Sequence, residues 1–143
     1  MKTDFDERQM QIRGQVFFHG FILALVLLLL NAVLQSNGVV WASGFHQNVI
    51  LMVLISTITA LEAIIRDVYL GNGKTRWITL GVFGLLSVFL WVLNIQHILK
   101  GSVILEDRAL TSNGFSVVLA IMFSLTTVIG VIVEIKGKRK DSE

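Results

Sequence analysis

The sequence predicts an all-α integral membrane protein, an antiparallel four-helix bundle with both termini in the cytoplasm. Three observations carry that expectation. Apolar residues fill 54% of the 143 positions and charged residues only 15%, with a mean hydropathy of +0.74. A soluble domain of this size has too little polar side chain to cover such a core, so lipid is the expected solvent. The apolar residues fall into four runs, each close to the ~20 residues that cross a hydrocarbon core about 30 Å thick. Lysine and arginine then alternate in density between successive connections, as positive-inside topology requires.

The length suits one domain. It opens on a polar segment, expected as a short cytoplasmic helix over 4–14. There Asp4, Asp6 and Glu7 precede Arg8 and Arg13, an order that complements the two ends of a helix dipole. Asp4 and Glu7 have the spacing of a capping box, and Asp4 and Arg8 form an i,i+4 pair. The segment reads as a solvated lead into the membrane, with a docking segment for a cytoplasmic partner as the functional alternative.

Span one is expected over about 16–34. Its apolar stretch is too long for a signal peptide, and no small-x-small cleavage site follows. Loop one, 35–48, carries no charge but holds Trp41 and Phe45, which suits the headgroup zone. Span two is expected over about 49–70, broken by Gly71-Asn72-Gly73. Spans three and four are expected over about 77–98 and 114–135, with a basic tail over 136–143. No proline interrupts any span, which favours straight helices.

Orientation follows from the cations. The N-terminus has Lys2, Arg8 and Arg13, loop two has Arg66, Lys74 and Arg76, and the tail has Lys136, Lys138, Arg139 and Lys140. Loop one has none, and loop three has only Lys100 and Arg108. Both termini and loop two are therefore expected in the cytoplasm of a cell-membrane protein.

Glu62 is the most informative residue. It is expected about eight residues, or roughly 12 Å, inside the end of span two. A lone carboxylate at that depth costs a few kcal/mol, so a partner is required. Arg66 is one turn nearer water on the same face. Asp67 can hold the other side of that guanidinium, and His19 of span one is a second candidate partner. The cluster reads either as a salt bridge that fixes helix register or as a proton- or cation-binding pair of Glu62 and His19.

Small and hydroxyl residues mark where helices can approach in lipid. Span two offers Ser56, Thr59, Ala60 and Ala63, span three Gly81, Gly84 and Ser87, and span four Ser116, Ala120, Ser124 and Thr127. Three or four hydroxyls per span are too few to line a pore. A faint echo links the halves: Leu30-Asn31 precedes Gly38 as Leu93-Asn94 precedes Gly101. The match covers few residues, and coincidence is its expected explanation.

The absence of cysteine removes disulfides, thiol catalysis and thiolate metal sites. His46, His97, Glu106 and Asp107 share no tight ligand spacing, so no metal is expected. The stretch Gly71-Asn72-Gly73-Lys74-Thr75 mimics the end of a phosphate loop. However, Val68 stands where the first glycine belongs, and a membrane span precedes it. No nucleophile has a base at useful spacing, so neither catalytic residues nor cofactors are expected. The tail should attract anionic headgroups and is weak evidence for nucleic acid.

The opening Asp6-Glu7-Arg8-Gln9, followed by Ile12 and an apolar span, resembles the signature of a family of small four-span bacterial membrane proteins, mostly Gram-positive. The resemblance covers that signature and the four-span plan. It implies no assigned activity and no residues to carry over. It also implies salt bridges between the signature and loop two as a structural role. The expected function is non-enzymatic: an accessory, immunity- or stress-related, or scaffold protein acting through helix contacts. Its expected partners are the bilayer and a homo-oligomer or larger membrane complex. The alternative is a small proton- or cation-coupled transporter or channel subunit using Glu62 and His19.

Overall fold

The computed structural model describes residues 7–66, 68, 73–107 and 109–140, with the side chains of all these except 73–76 and 137–140. Four helices dominate: α1 (Glu7–Ser36), α2 (Gly44–Ile65), α3 (Gly73–Leu99) and α4 (Ser112–Lys140). Each contains a stretch long and apolar enough to cross a membrane. The chain is therefore an all-α, multi-pass membrane protein. The N-terminal polar segment is not a separate helix over its described part; from Glu7 it continues into the first span as α1. Asp4 and Asp6, and with them the capping box, lie outside the described residues.

α2 starts and stops earlier than the expected 49–70. Ser43 sets its start, with extended backbone and a side chain that accepts from the His46 N–H, as an N-cap does. Its end comes at Arg66, whose N–H donates to the Glu62 carbonyl at 3.0 Å. The Val68 N–H then reaches the Ala63 carbonyl at 2.9 Å. Leaving the helix there lets Val68 bury itself against Val16, Ala63 and Ile12. The break thus precedes the Gly-Asn-Gly stretch: Gly71 and Asn72 lie outside the described residues, and Gly73 already belongs to α3.

Among the described residues the helices pack in the order α1–α2–α4–α3. α2 and α4 both start at the end of the molecule that holds the connections 37–43 and 100–111, and they run parallel at the centre of this row. There His46 stacks on Phe115 with ring centroids 4.5 Å apart, and Ala42 and Leu110, just before the two helices, bridge in parallel. α1 and α3 lie at the two ends of the row. The row is open: it exposes 9833 Å², where a compact soluble monomer of its mass exposes roughly 7,400 Å². Exposed leucines, valines and phenylalanines around α1 and α3 account for much of that surface, and lipid covers such residues at no penalty.

The row reads alike from both ends, which gives the sequence echo a physical content. Gly38 and Gly101 have φ of +75° and +81°. Each ends an outer helix in a Schellman motif. In α1 the Gly38 N–H donates to Gln35 and the Val39 N–H to Leu34; in α3 the Gly101 N–H donates to Ile98 and the Ser102 N–H to His97. Asn31 and Asn94, one at the same place in each outer helix, are both buried. The inner helices are each capped by a hydroxyl, Ser43 on His46 N–H and Thr111 on Gly114 N–H. The departure from symmetry is in the loops. The second is longer and forms a hairpin of β1 (Leu105–Glu106) and β2 (Ala109–Leu110), which the Leu110 N–H ties to the Trp41 carbonyl at 2.8 Å.

Candidate functional site

The polar residues singled out in the sequence meet on the α1–α2 seam, at the end opposite the two loops. His19 Nδ1 lies 2.8 Å from Glu62 Oε1, and an Arg66 guanidinium nitrogen lies 2.9 Å from the same oxygen. A guanidinium carries donors and no acceptor, so Arg66 donates to that oxygen. The cluster therefore joins the two helices through one atom. Asp67, its fourth expected member, lies outside the described residues.

The depth differs from expectation. Because α2 ends at Ile65, Glu62 is within about one turn, or roughly 5 Å, of the helix end rather than 12 Å. The side chains are partly exposed, with His19 51%, Arg66 40% and Glu62 25%.

One turn along the seam, Gly20 faces Thr59. A Cβ on Gly20 would sit 2.5 Å from Thr59 Oγ1, whose hydroxyl donates to the Ile55 carbonyl at 2.8 Å. This is the closest approach of α1 to α2 that a side chain would block. On one flank of the contact lies the ion cluster. On the other, by the 100° step of the helix, is a half-open groove of about 400 Å³, whose lining includes Arg13, Phe17, Phe21, Ser56 and Ala60. The Arg13 guanidinium carbon stands 5.7 Å over the Phe17 ring.

The remaining small residues divide. Ala63 is buried against Val16 and Val68, whereas Ser56 is exposed and borders the groove. On the α3–α4 seam, Ser87 and Ala120 are buried, Gly84 is within 3.4 Å of Thr127 as measured from a Cβ built on it, and Ser116 is half-buried. Gly81 is exposed, with no atom near its Cβ position. Ser124 donates to the Ala120 carbonyl at 2.7 Å and so accepts from Ser87 at 2.6 Å and from Trp91 Nε1 at 3.0 Å. That exhausts one donor and two lone pairs.

A second polar network, at the loop end, is not apparent in the sequence. Trp41 Nε1 donates to Asn31 Oδ1 at 2.9 Å, and Gln35 donates to Gln47 Oε1 at 2.6 Å. Gln47 donates in turn to the Ala42 carbonyl at 2.9 Å, and both Gln47 and Ala42 are buried. The sequence signal for it is three uncharged amides, Asn31, Gln35 and Gln47, around a tryptophan in a loop without charge. In the second hairpin the matching Asn94 is 1% exposed and its Nδ2 has no partner among the described residues.

Compared with known protein families, curated proteins and solved structures, the chain matches none of them.

Proposed function

We propose that this chain is a non-enzymatic protein of the cell membrane, with both termini in the cytoplasm, that acts through helix contacts as an accessory, immunity- or stress-related, or scaffold protein. The observation that carries this reading is the use of Glu62. Its Oε1 meets His19 across the seam and accepts from Arg66 on its own helix, so one carboxyl oxygen ties α1 to α2. The membrane hydroxyls support the same reading. Thr59, Ser124, Thr126 and Thr127 each donate to a carbonyl one turn back in their own helix, so these four donors are spent within the helices. The orientation rests on the cation bias along the chain, and the N-terminal resemblance to small bacterial four-span proteins supports the plan. Partners are a second copy or a larger membrane complex within the bilayer.

The exposure of His19 favours a second reading, a proton- or cation-coupled transporter or channel subunit. A histidine and a carboxyl group 2.8 Å apart at the partly exposed end of a seam can pass a proton between them. The test compares wild type with Glu62→Gln after purification in mild detergent. The contact reading expects a less stable variant, a stable complex mass and no flux from proteoliposomes. A variant as stable as wild type, with wild-type proton flux that the substitution abolishes, replaces it with the transport reading.

A further inference from the structure

We infer that the second connection, 100–111, is an interfacial anchor. Val103 and Leu105 insert into the bilayer at the level of the headgroups and upper acyl chains. By sequence alone, its charged residues Lys100, Glu106, Asp107 and Arg108 read as a loop standing in water. The structure gives its centre a different setting. The Ile104 carbonyl lies so near Gly114 that a Cβ there would strike it, and Thr111 Oγ1 donates to the Val103 carbonyl at 2.8 Å. The start of β1 therefore lies beside the first turn of α4, where the apolar run of that span begins, and not out beyond the helix end.

What surrounds this segment names its occupant. Val103, Ile104 and Leu105 are consecutive exposed apolar residues, the first and last more than half exposed. Leu85, Val92 and Leu99 recur every seventh residue along one exposed face of α3, opposite in role to the buried stripe of the same helix. That lipid-covered face ends at Leu99, 81% exposed, and the chain carries it into Val103 and Leu105. Apolar area is costly in water, and the bilayer is the apolar medium that already covers the adjoining helix. Lys100 keeps its ammonium among the headgroups by the reach of its stem, and Glu106 and Asp107 turn the hairpin on its wet side. Pairing of Leu105 with Leu110, whose N–H holds the Trp41 carbonyl, links the inserted residues to the first connection. Val40 and Phe45, exposed at the same end, extend the apolar rim. The anchor is independent of whether the protein acts by contact or by transport.

The chain has no cysteine, so a single introduced one can carry a nitroxide. Val103→Cys and Leu105→Cys are labelled in the full chain and placed in phosphatidylcholine nanodiscs. Leu85→Cys, at an exposed position within α3, is the lipid reference, and Glu7→Cys, exposed in the polar opening of α1, is the water reference. Electron paramagnetic resonance compares relaxation by oxygen, which concentrates in lipid, with relaxation by a nickel chelate, which stays in water. At 103 and 105 the ratio of oxygen to chelate access is expected several-fold above that at Glu7 and shifted toward that at Leu85. Helical circular dichroism checks that each variant is folded. A ratio equal to that at Glu7 overturns the anchor, because the connection then stands in water. Dipolar broadening that vanishes on dilution with unlabelled protein overturns it too, because a second copy then covers the strand. Low access of both agents without broadening also overturns it, because the strand is then covered by the protein itself.

Discussion

Along the α3–α4 seam, Leu80, Ser87 and Asn94 form a buried stripe every seventh residue, facing the small residues of α4. Phe83 stacks on Phe123 at 5.8 Å, and a Cβ on Gly130 would strike Leu80. Along the α1–α2 seam the same topology is held by fewer close contacts: Gly20 on Thr59, a carboxylate shared by His19 and Arg66, and an open groove beside them. Two hairpins with matching caps therefore use different means of association. One is packed, as helices in lipid usually are, and the other is tethered by polar groups and leaves room at its side. The tethered seam is where a ligand or a change of state would be accommodated.

Substitutions at matched positions of the two hairpins sharpen or break that comparison. The largest effect is expected at Gly114, where a Cβ would run into the Ile104 carbonyl and Leu110. Gly114→Ala should cost about 3 kcal/mol, the upper range for overpacking, and lower the unfolding midpoint in detergent. Gly44, in the first turn of the other inner helix, has open space around it, so Gly44→Ala should be neutral or slightly stabilising.

Next comes the seam itself. Gly20→Ala should cost about 2 kcal/mol, and adding Thr59→Ala should recover much of it, because the obstructing atoms are then gone. Gly84→Ala meets Thr127 at 3.4 Å, an ordinary contact, and should change little. If both alanines cost the same, the two seams are not packed differently.

The buried asparagines should then part company. Asn31→Leu strands the indole N–H of Trp41 and should cost about 1–2 kcal/mol. Asn94→Leu replaces a buried amide whose Nδ2 has no partner among the described residues and should leave the melting temperature unchanged or raise it. Equal losses in the two variants would contradict the assignment of Trp41 as the partner that only Asn31 has.

The polar ties come last. Glu62→Gln should cost about 1 kcal/mol or less, since both its partners are more than a third exposed. A double-mutant cycle of Ser87→Ala and Ser124→Ala should give a coupling near ~0.6 kcal/mol, the average for interhelical hydrogen bonds in membranes. A coupling several times larger would make the α3–α4 seam polar in its energetics too.

The four helices were legible because crossing lipid demands a long apolar run, and about 30 Å of hydrocarbon leaves little freedom in where such runs sit. The partnership of Glu62 with Arg66 was legible for a similar reason: one turn of helix places them together. The His19 partner was only a candidate, because a contact between helices depends on their register. The end of α2 was less legible: glycine signals suggest a helix end near Leu70, but burial of Val68 against Val16 ends α2 at Ile65.

Local sequence thus determined the elements, the hydroxyl caps of α2 and α4 and the two glycine stops, since each depends on a few adjacent backbone groups. The tertiary structure alone decided the order α1–α2–α4–α3, the parallel central pair and the union of the two loops. It also decided which flank of the seam closed on an ion cluster and which stayed open as a groove. In lipid nearly every face of these helices is apolar, so hydrophobicity does not say which faces meet. Shape and the few hydrogen bonds that survive there make that choice.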